Sequence, residues 1–176
     1  MKRRIHRILF HSAKFIVGLT VYINGKLYMS LYRFLLKFSG LKINGTPRFI
    51  AKSVKFDDFD LITIGDRLVV SSNVIFLTHD YSFTTSLISI GEKPKTDIGM
   101  LGPITIGNNV FIGMNSMLLP GTIIEDNVII GAGSIVRGRI PANSIYSGNP
   151  AGFICDIREH AKKMKEKNYL KRIDKK

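Results

Sequence analysis

The chain has 176 residues, one cysteine, four histidines and a formal charge of +13. That length suits one domain with its own core, and a lone cysteine, Cys155, excludes an internal disulfide framework and favours a reducing, cytoplasmic compartment. Twelve Lys or Arg and no Asp or Glu precede Asp57, whereas five basic residues face six acidic ones from Arg67 to Asp156, so the excess charge belongs to the two ends.

Residues 1–42 read as a basic amphipathic helical segment. Lys2, Arg3, Arg4 and Arg7 stand among Ile5, Ile8, Leu9, Ile16 and Leu19, a set compatible with one apolar face. Asn24-Gly25 then breaks the chain before a stripe of Leu27, Leu31, Phe34, Leu35 and Phe38. Two placements stay open: packed on the following domain, or lying on an anionic membrane surface, where each basic residue adds on the order of 1 kcal/mol. The longest uncharged run, Phe15 to Gly25, is shorter than the roughly 20 residues of a spanning helix, and no small-residue cleavage pattern follows it.

A second unit is expected over residues 43–155. Ile50, Phe56 and Ile62 are six apart, and the frame then slips to Ile64, Val70 and Phe76. No aliphatic phase survives between Thr78 and Pro103, so residues 79–103 read as an inserted loop, and long insertions in regular folds are more often functional than accidental. From Ile106 an aliphatic residue recurs at every sixth position, through Ile112, Leu118, Ile124, Ile130 and Val136. A second series, Val110, Ser116, Thr122, Val128, Ser134 and Ile140, is small or β-branched. Neither the helical nor the strand period gives a repeat of six, so the unit is a strand plus a corner, three of which make one turn of a β-helix. Gly121 and Gly133 fall where a corner can demand positive φ. Asn149-Pro150 ends the repeats, and residues 156–176 read as a helix leading into a charged tail, the helical pattern itself beginning near Ile154.

The run ITIGNNVFIGMNSMLLPGTIIEDNVIIGAGSIV, followed by SGNPA, resembles the hexapeptide-repeat acyltransferases, above all the galactoside and maltose O-acetyltransferase group. The resemblance covers roughly residues 44–155 and implies a mainly β fold, a left-handed parallel β-helix. It also implies a homotrimer that uses acetyl-CoA, without a metal, to acetylate a sugar hydroxyl. An N-acetyltransferase acting on a nucleotide-linked amino sugar is the alternative within enzymes.

The resemblance assigns residues as well. His79 stands at the mouth of the inserted loop; alone it would pass for a surface or hydrogen-bonded core histidine, but its position matches the family's catalytic base. A neutral imidazole suits removal of a hydroxyl proton at cellular pH. Asp80 reads as a solvated or loop-capping carboxylate, because consecutive strand residues point oppositely. Asp57, Asp58 and Asp60 match the region where relatives hold the acceptor, although a solvated turn is the plainer reading of each. For the cofactor, Ala132 matches the family groove, Met114 and Pro150 lie at related positions, and Arg137 and Gly138 replace the usual Thr-Lys pair. Arg137, Arg139 and Arg158 are the remaining candidates for phosphate contact, and solvated surface arginines are an equally open reading. Several relatives fall away: one histidine in the solenoid leaves no zinc set, and the short N-terminal segment holds neither a nucleotide domain nor a long helical one. A scaffold whose basic ends bind nucleic acid is a further class, but those ends carry no recognised reader motif.

Overall fold

Along the middle of the chain, strands of two or three residues alternate with corners, and each hydrogen-bonds to the strand one turn before and one turn after it, building three parallel sheets around a common axis. This computed structural model describes residues 2–167; Met1 and the tail beyond Lys167, part of the expected charged run, lie outside the described residues. The first sheet holds Lys42–Ile43, Ile62–Ile64, Ile104–Ile106, Ile123–Ile124 and Arg139–Ile140. Phe49–Ile50, Val69–Val70, Phe111–Ile112, Ile129–Ile130 and Ser144–Ser147 form the second, and Lys55–Phe56, Ile75–Phe76, Met117–Leu118 and Ile135–Val136 the third. The fold is therefore a parallel β-helix.

Both sequence series point inward. Ile106, Ile112, Leu118, Ile124, Ile130 and Val136 are buried, and so are Val110, Ser116, Thr122, Val128, Ser134 and Ile140. The buried hydroxyls are satisfied at the corners, as where Ser134 Oγ donates to Gly131 O at 2.6 Å. The corners follow the same period of six. Arg67, Asn73, Asn109, Asn115, Gly121, Asn127 and Gly133 all have positive φ. Sequence patterning singled out only the glycines, yet asparagine is the L-residue that best tolerates this region. Here its amides also stack: Asn109 Nδ2 donates to Asn127 Oδ1 at 2.9 Å, and Asn127 Nδ2 to Asn143 Oδ1 at 3.2 Å. Gly113 serves close approach instead, since a Cβ there would stand 2.5 Å from Ala132 N in the next coil.

The N-terminal segment forms two helices, α1 (Lys2–Leu19) and α2 (Gly25–Phe38), joined by a short 3₁₀ turn. Asn24 caps α2 by accepting from the backbone N–H groups of Lys26 and Leu27. The helices pack on the first coils, but not by the stripe that the sequence suggests. Tyr28, Tyr32 and Leu36 are fully buried, whereas Leu27, Leu31, Phe34 and Phe38 are exposed. The tyrosines win the inner face because each ring buries a large area. Tyr28 Oη donates to Ile50 O at 2.8 Å.

The insertion is not structureless. His79–Asp80 pairs antiparallel with Met100–Leu101, and α3 (Phe83–Ser89) lies between them. Val70 pairs with Ile112, forty-two places on, whereas Ile112 pairs with Ile130, eighteen places on, so the whole loop is extruded from one coil. The C-terminal expectation needs correction. Where a helix was expected from Ile154, Gly152–Asp156 is a strand that pairs antiparallel with Ser144–Ser147, and α4 (Ile157–Glu166) begins after it, capped by Asp156. The alternation of a single sheet-edge strand is too short to register against a neighbouring helical pattern.

Candidate active site

The frame slip noted in the early coils sets the geometry around His79. Lys55 pairs with Ile75 and Phe56 with Phe76, an offset of twenty, so Asp57 and Asp58 leave their strand beside the segment that leads into His79. His79 Nδ1 lies 3.2 Å from Asp58 Oδ2 and 3.4 Å from Asp57 Oδ2. A carboxylate can only accept, so in the neutral imidazole Nδ1 carries the proton and Nε2 the lone pair. The imidazole is partly open, its side chain 25% exposed.

Neighbouring groups hold this arrangement. Fully buried Thr78 accepts from the Asp58 N–H at 3.2 Å and donates to Asp58 Oδ2 at 2.9 Å, fixing the carboxylate that meets the ring. Tyr81 lies against the imidazole with ring centroids 5.0 Å apart. A Cβ on Gly99 would strike the Tyr81 ring at 2.7 Å, so glycine lets the far arm of the loop close over it. Asp80 turns away, accepting from the Ser82 N–H at 2.8 Å. That bond, with a smaller contribution from the Arg137 charge, holds its carboxyl below the usual range.

The other sequence-derived residues divide between two edges of the prism. Met114 and Ala132 occupy one corner in consecutive coils, where Gly133 N donates to Met114 O at 2.8 Å. The turn through Gly148 and Pro150 caps the same corner, with Ile135 N donating to Gly148 O at 3.0 Å. All three candidates are exposed there. Arg137 and Gly138 stand at the next corner, the one from which His79 and its loop emerge. The third sheet separates the two edges within one chain.

Among the three candidate arginines, Arg139 pairs with Glu125 at 2.5 Å and Arg158 with Asp156 at 2.6 Å, which leaves Arg137 without an ion pair among the described residues. Asp60 is exposed in the turn Phe59–Leu61 and is not among the imidazole's partners. Sequence reasoning missed Thr78 and the contact of Asp57 and Asp58 with His79. The signal was present, because the slip of two residues moves that pair into line with the loop mouth.

Residues 103–138 match the family model for the bacterial transferase hexapeptide (six repeats). The putative lipopolysaccharide biosynthesis O-acetyl transferase WbbJ of Escherichia coli K12 is 33% identical over 135 residues, an alignment covering 70% of this chain and 69% of that one. The chain belongs to the hexapeptide-repeat acyltransferase family. Another family member, the galactoside O-acetyltransferase of the same organism, is 38% identical over 113 residues, 64% of this chain and 52% of that enzyme, so the match spans about half its length. The solved galactoside acetyltransferase in complex with coenzyme A superposes with a TM-score of 0.57 at 23% identity, covering 98% of this chain and 88% of that one. The shared fold is the family's left-handed parallel β-helix.

Proposed function

We propose that the protein transfers an acetyl group from acetyl-CoA to a sugar hydroxyl, with His79 as general base. The observation that carries this reading is the orientation of the imidazole: Nδ1 is held by Asp58, which leaves Nε2 as the nitrogen available to act as the base. Nε2 takes the proton of the acceptor hydroxyl as its oxygen attacks the thioester carbonyl, forming the C–O bond of a tetrahedral intermediate. Collapse breaks the C–S bond, and the imidazolium returns its proton to the departing thiolate. The Asp57 and Asp58 carboxylates stabilise the transient positive ring, and the side of each that faces away from it can also receive acceptor hydroxyls. Asp60 extends that acidic rim.

The pantetheine arm of acetyl-CoA would follow the Met114–Ala132–Pro150 corner, and Arg137 with the open backbone of Gly138 would meet its phosphates. Because that groove and His79 lie on different edges of one prism, a complete site forms when the groove of one protomer faces the imidazole of another. A homotrimer closes that arrangement symmetrically. Exposed Phe111, Met114 and Ile123 supply apolar area for the contact. The acceptor class we favour is a glycan of surface polysaccharide biosynthesis, in line with what the name of the lipopolysaccharide relative says of that protein.

Thiol release from acetyl-CoA with a panel of sugars tests the chemistry. Loss of the base in His79→Ala lowers kcat by about 10²–10⁴-fold. Full turnover in that variant, or amino sugars acetylated in preference to matched hydroxy sugars, would overturn the assignment.

A further inference from the structure

The outer faces of α1 and α2 remain without a role in this chemistry. On α1, Phe10, Val17 and Gly18 turn inward, while Leu9, Phe15, Ile16 and Leu19 are exposed. On α2 the exposed residues Leu27, Leu31, Phe34 and Phe38 are spaced so that, at about 100° per residue, they form one continuous stripe, turned away from the buried face of Tyr28, Tyr32 and Leu36. The connection between the helices projects Tyr22 and Ile23, 76% and 82% exposed. Phe15 and Phe34 are each 71% exposed, far more than isolated surface apolar residues require.

The charge around this surface is of one sign. Lys26, Ser30, Arg33 and Lys37 form the stripe that flanks Leu27–Phe38 along α2, and Lys42, Lys52 and Lys55 are exposed on the adjoining coils. No Asp or Glu occurs from Met1 to Lys55. A second copy of the same face would bring these cations no carboxylate. We propose that α1 and α2 lie in the surface of an anionic lipid bilayer, with the apolar stripes and the Tyr22–Ile23 tip in the acyl boundary and the lysines on the phosphates. Neither helix spans: no described helix is long and apolar enough to cross a membrane.

The site is held close to this surface. Phe10 packs edge-on against Phe59, with ring centroids 4.8 Å apart, and Phe59 follows Asp58 in sequence. Docking through α1 therefore leaves one helix layer between the bilayer and Phe59, the residue after Asp58, which keeps the site near an acceptor that is itself anchored in lipid.

Vesicle flotation of the full chain tests the docking without any acetyl transfer, so it can fail while the acyltransferase assignment stands, and the converse. Vesicles of phosphatidylcholine with phosphatidylglycerol should carry the protein at least about tenfold better than phosphatidylcholine alone, and high salt should reduce that preference. Phe15→Ser with Phe34→Ser should lose about tenfold or more of the binding, with far-UV circular dichroism and acetylation of a soluble sugar unchanged. Lys26→Glu with Lys37→Glu, which spares the apolar stripe, should abolish the preference for anionic vesicles. Equal binding to both vesicle types, or flotation indifferent to both pairs of substitutions, overturns the proposal. So does a serine pair that changes the size of the assembly in lipid-free solution, because the occupant is then another protomer.

Discussion

Asp58 and Asp57 meet the same nitrogen of His79, yet their environments differ. Asp58 is fixed by two bonds with Thr78, whereas Asp57 Oδ2 is buried and has no hydrogen-bond partner among the described residues. The better-held carboxylate should do more to orient the ring. In Asp58→Asn we expect kcat to fall about 10- to 100-fold with KM for acetyl-CoA nearly constant, and a smaller loss in Asp57→Asn. Steady-state kinetics on both variants check this order, and a larger effect at Asp57 would reverse it. Lys14 offers a second test at this scale. Its ammonium donates to Val54 O at 2.7 Å and lies against the rings of Phe10 and Tyr32, and burial lowers its pKa from 10.5 to about 8. Below pH 8 both folded and unfolded chains are protonated there, and the full cost of burying the charge is present. Between pH 8 and 10.5 the unfolded chain binds more protons, so rising pH stabilises the native chain. Melting temperatures measured against pH should therefore show the native chain gaining on Lys14→Met across that window. A difference independent of pH would mean the ammonium is solvated.

Each coil depends on two kinds of corner residue, and substitutions separate them. Asn127 has φ of 58° and bonds to the asparagines above and below, so Asn127→Val should cost about 1–2 kcal/mol for the backbone alone, and Asn127→Gly much less. Gly113 needs space rather than positive φ: Gly113→Ala should cost about 1–3 kcal/mol by forcing apart the coils at Ala132. Urea denaturation of the three variants reads the order, and a stable Gly113→Ala would show that the coils can separate there. The elements also differ in how legible they were. The period of six identified the solenoid because burial repeats without exception from Ile106 to Val136. The stripe on α2 misled because hydropathy ranks Leu and Phe above Tyr, whereas packing against the first coils rewards ring area.

In the proposed homotrimer, completion of the site by two edges is a property of the assembly. His79→Ala removes the base from one edge, and Ala132→Trp would fill the groove at the other. Each variant alone should be nearly inactive, but trimers reassembled from a mixture of the two should regain thiol release, since some interfaces then pair an intact imidazole with an intact groove. No recovery on mixing, with mixed trimers verified by size and composition, would place both halves of the site in one protomer.

The sequence by itself determined the coil, its inward residues and the exclusion of the inserted loop, because a strict repeat writes burial into every sixth position. It also pointed to His79 and to the acidic pair, but as separate features with separate uses. Only the tertiary structure brought them together, through a register offset of twenty rather than eighteen that depends on how the early coils stack. It alone decided which face of α2 is buried, which of the three candidate arginines has no ion pair among the described residues, and that a strand precedes the last helix. Those outcomes rest on contacts between distant segments, to which local periodicity is blind.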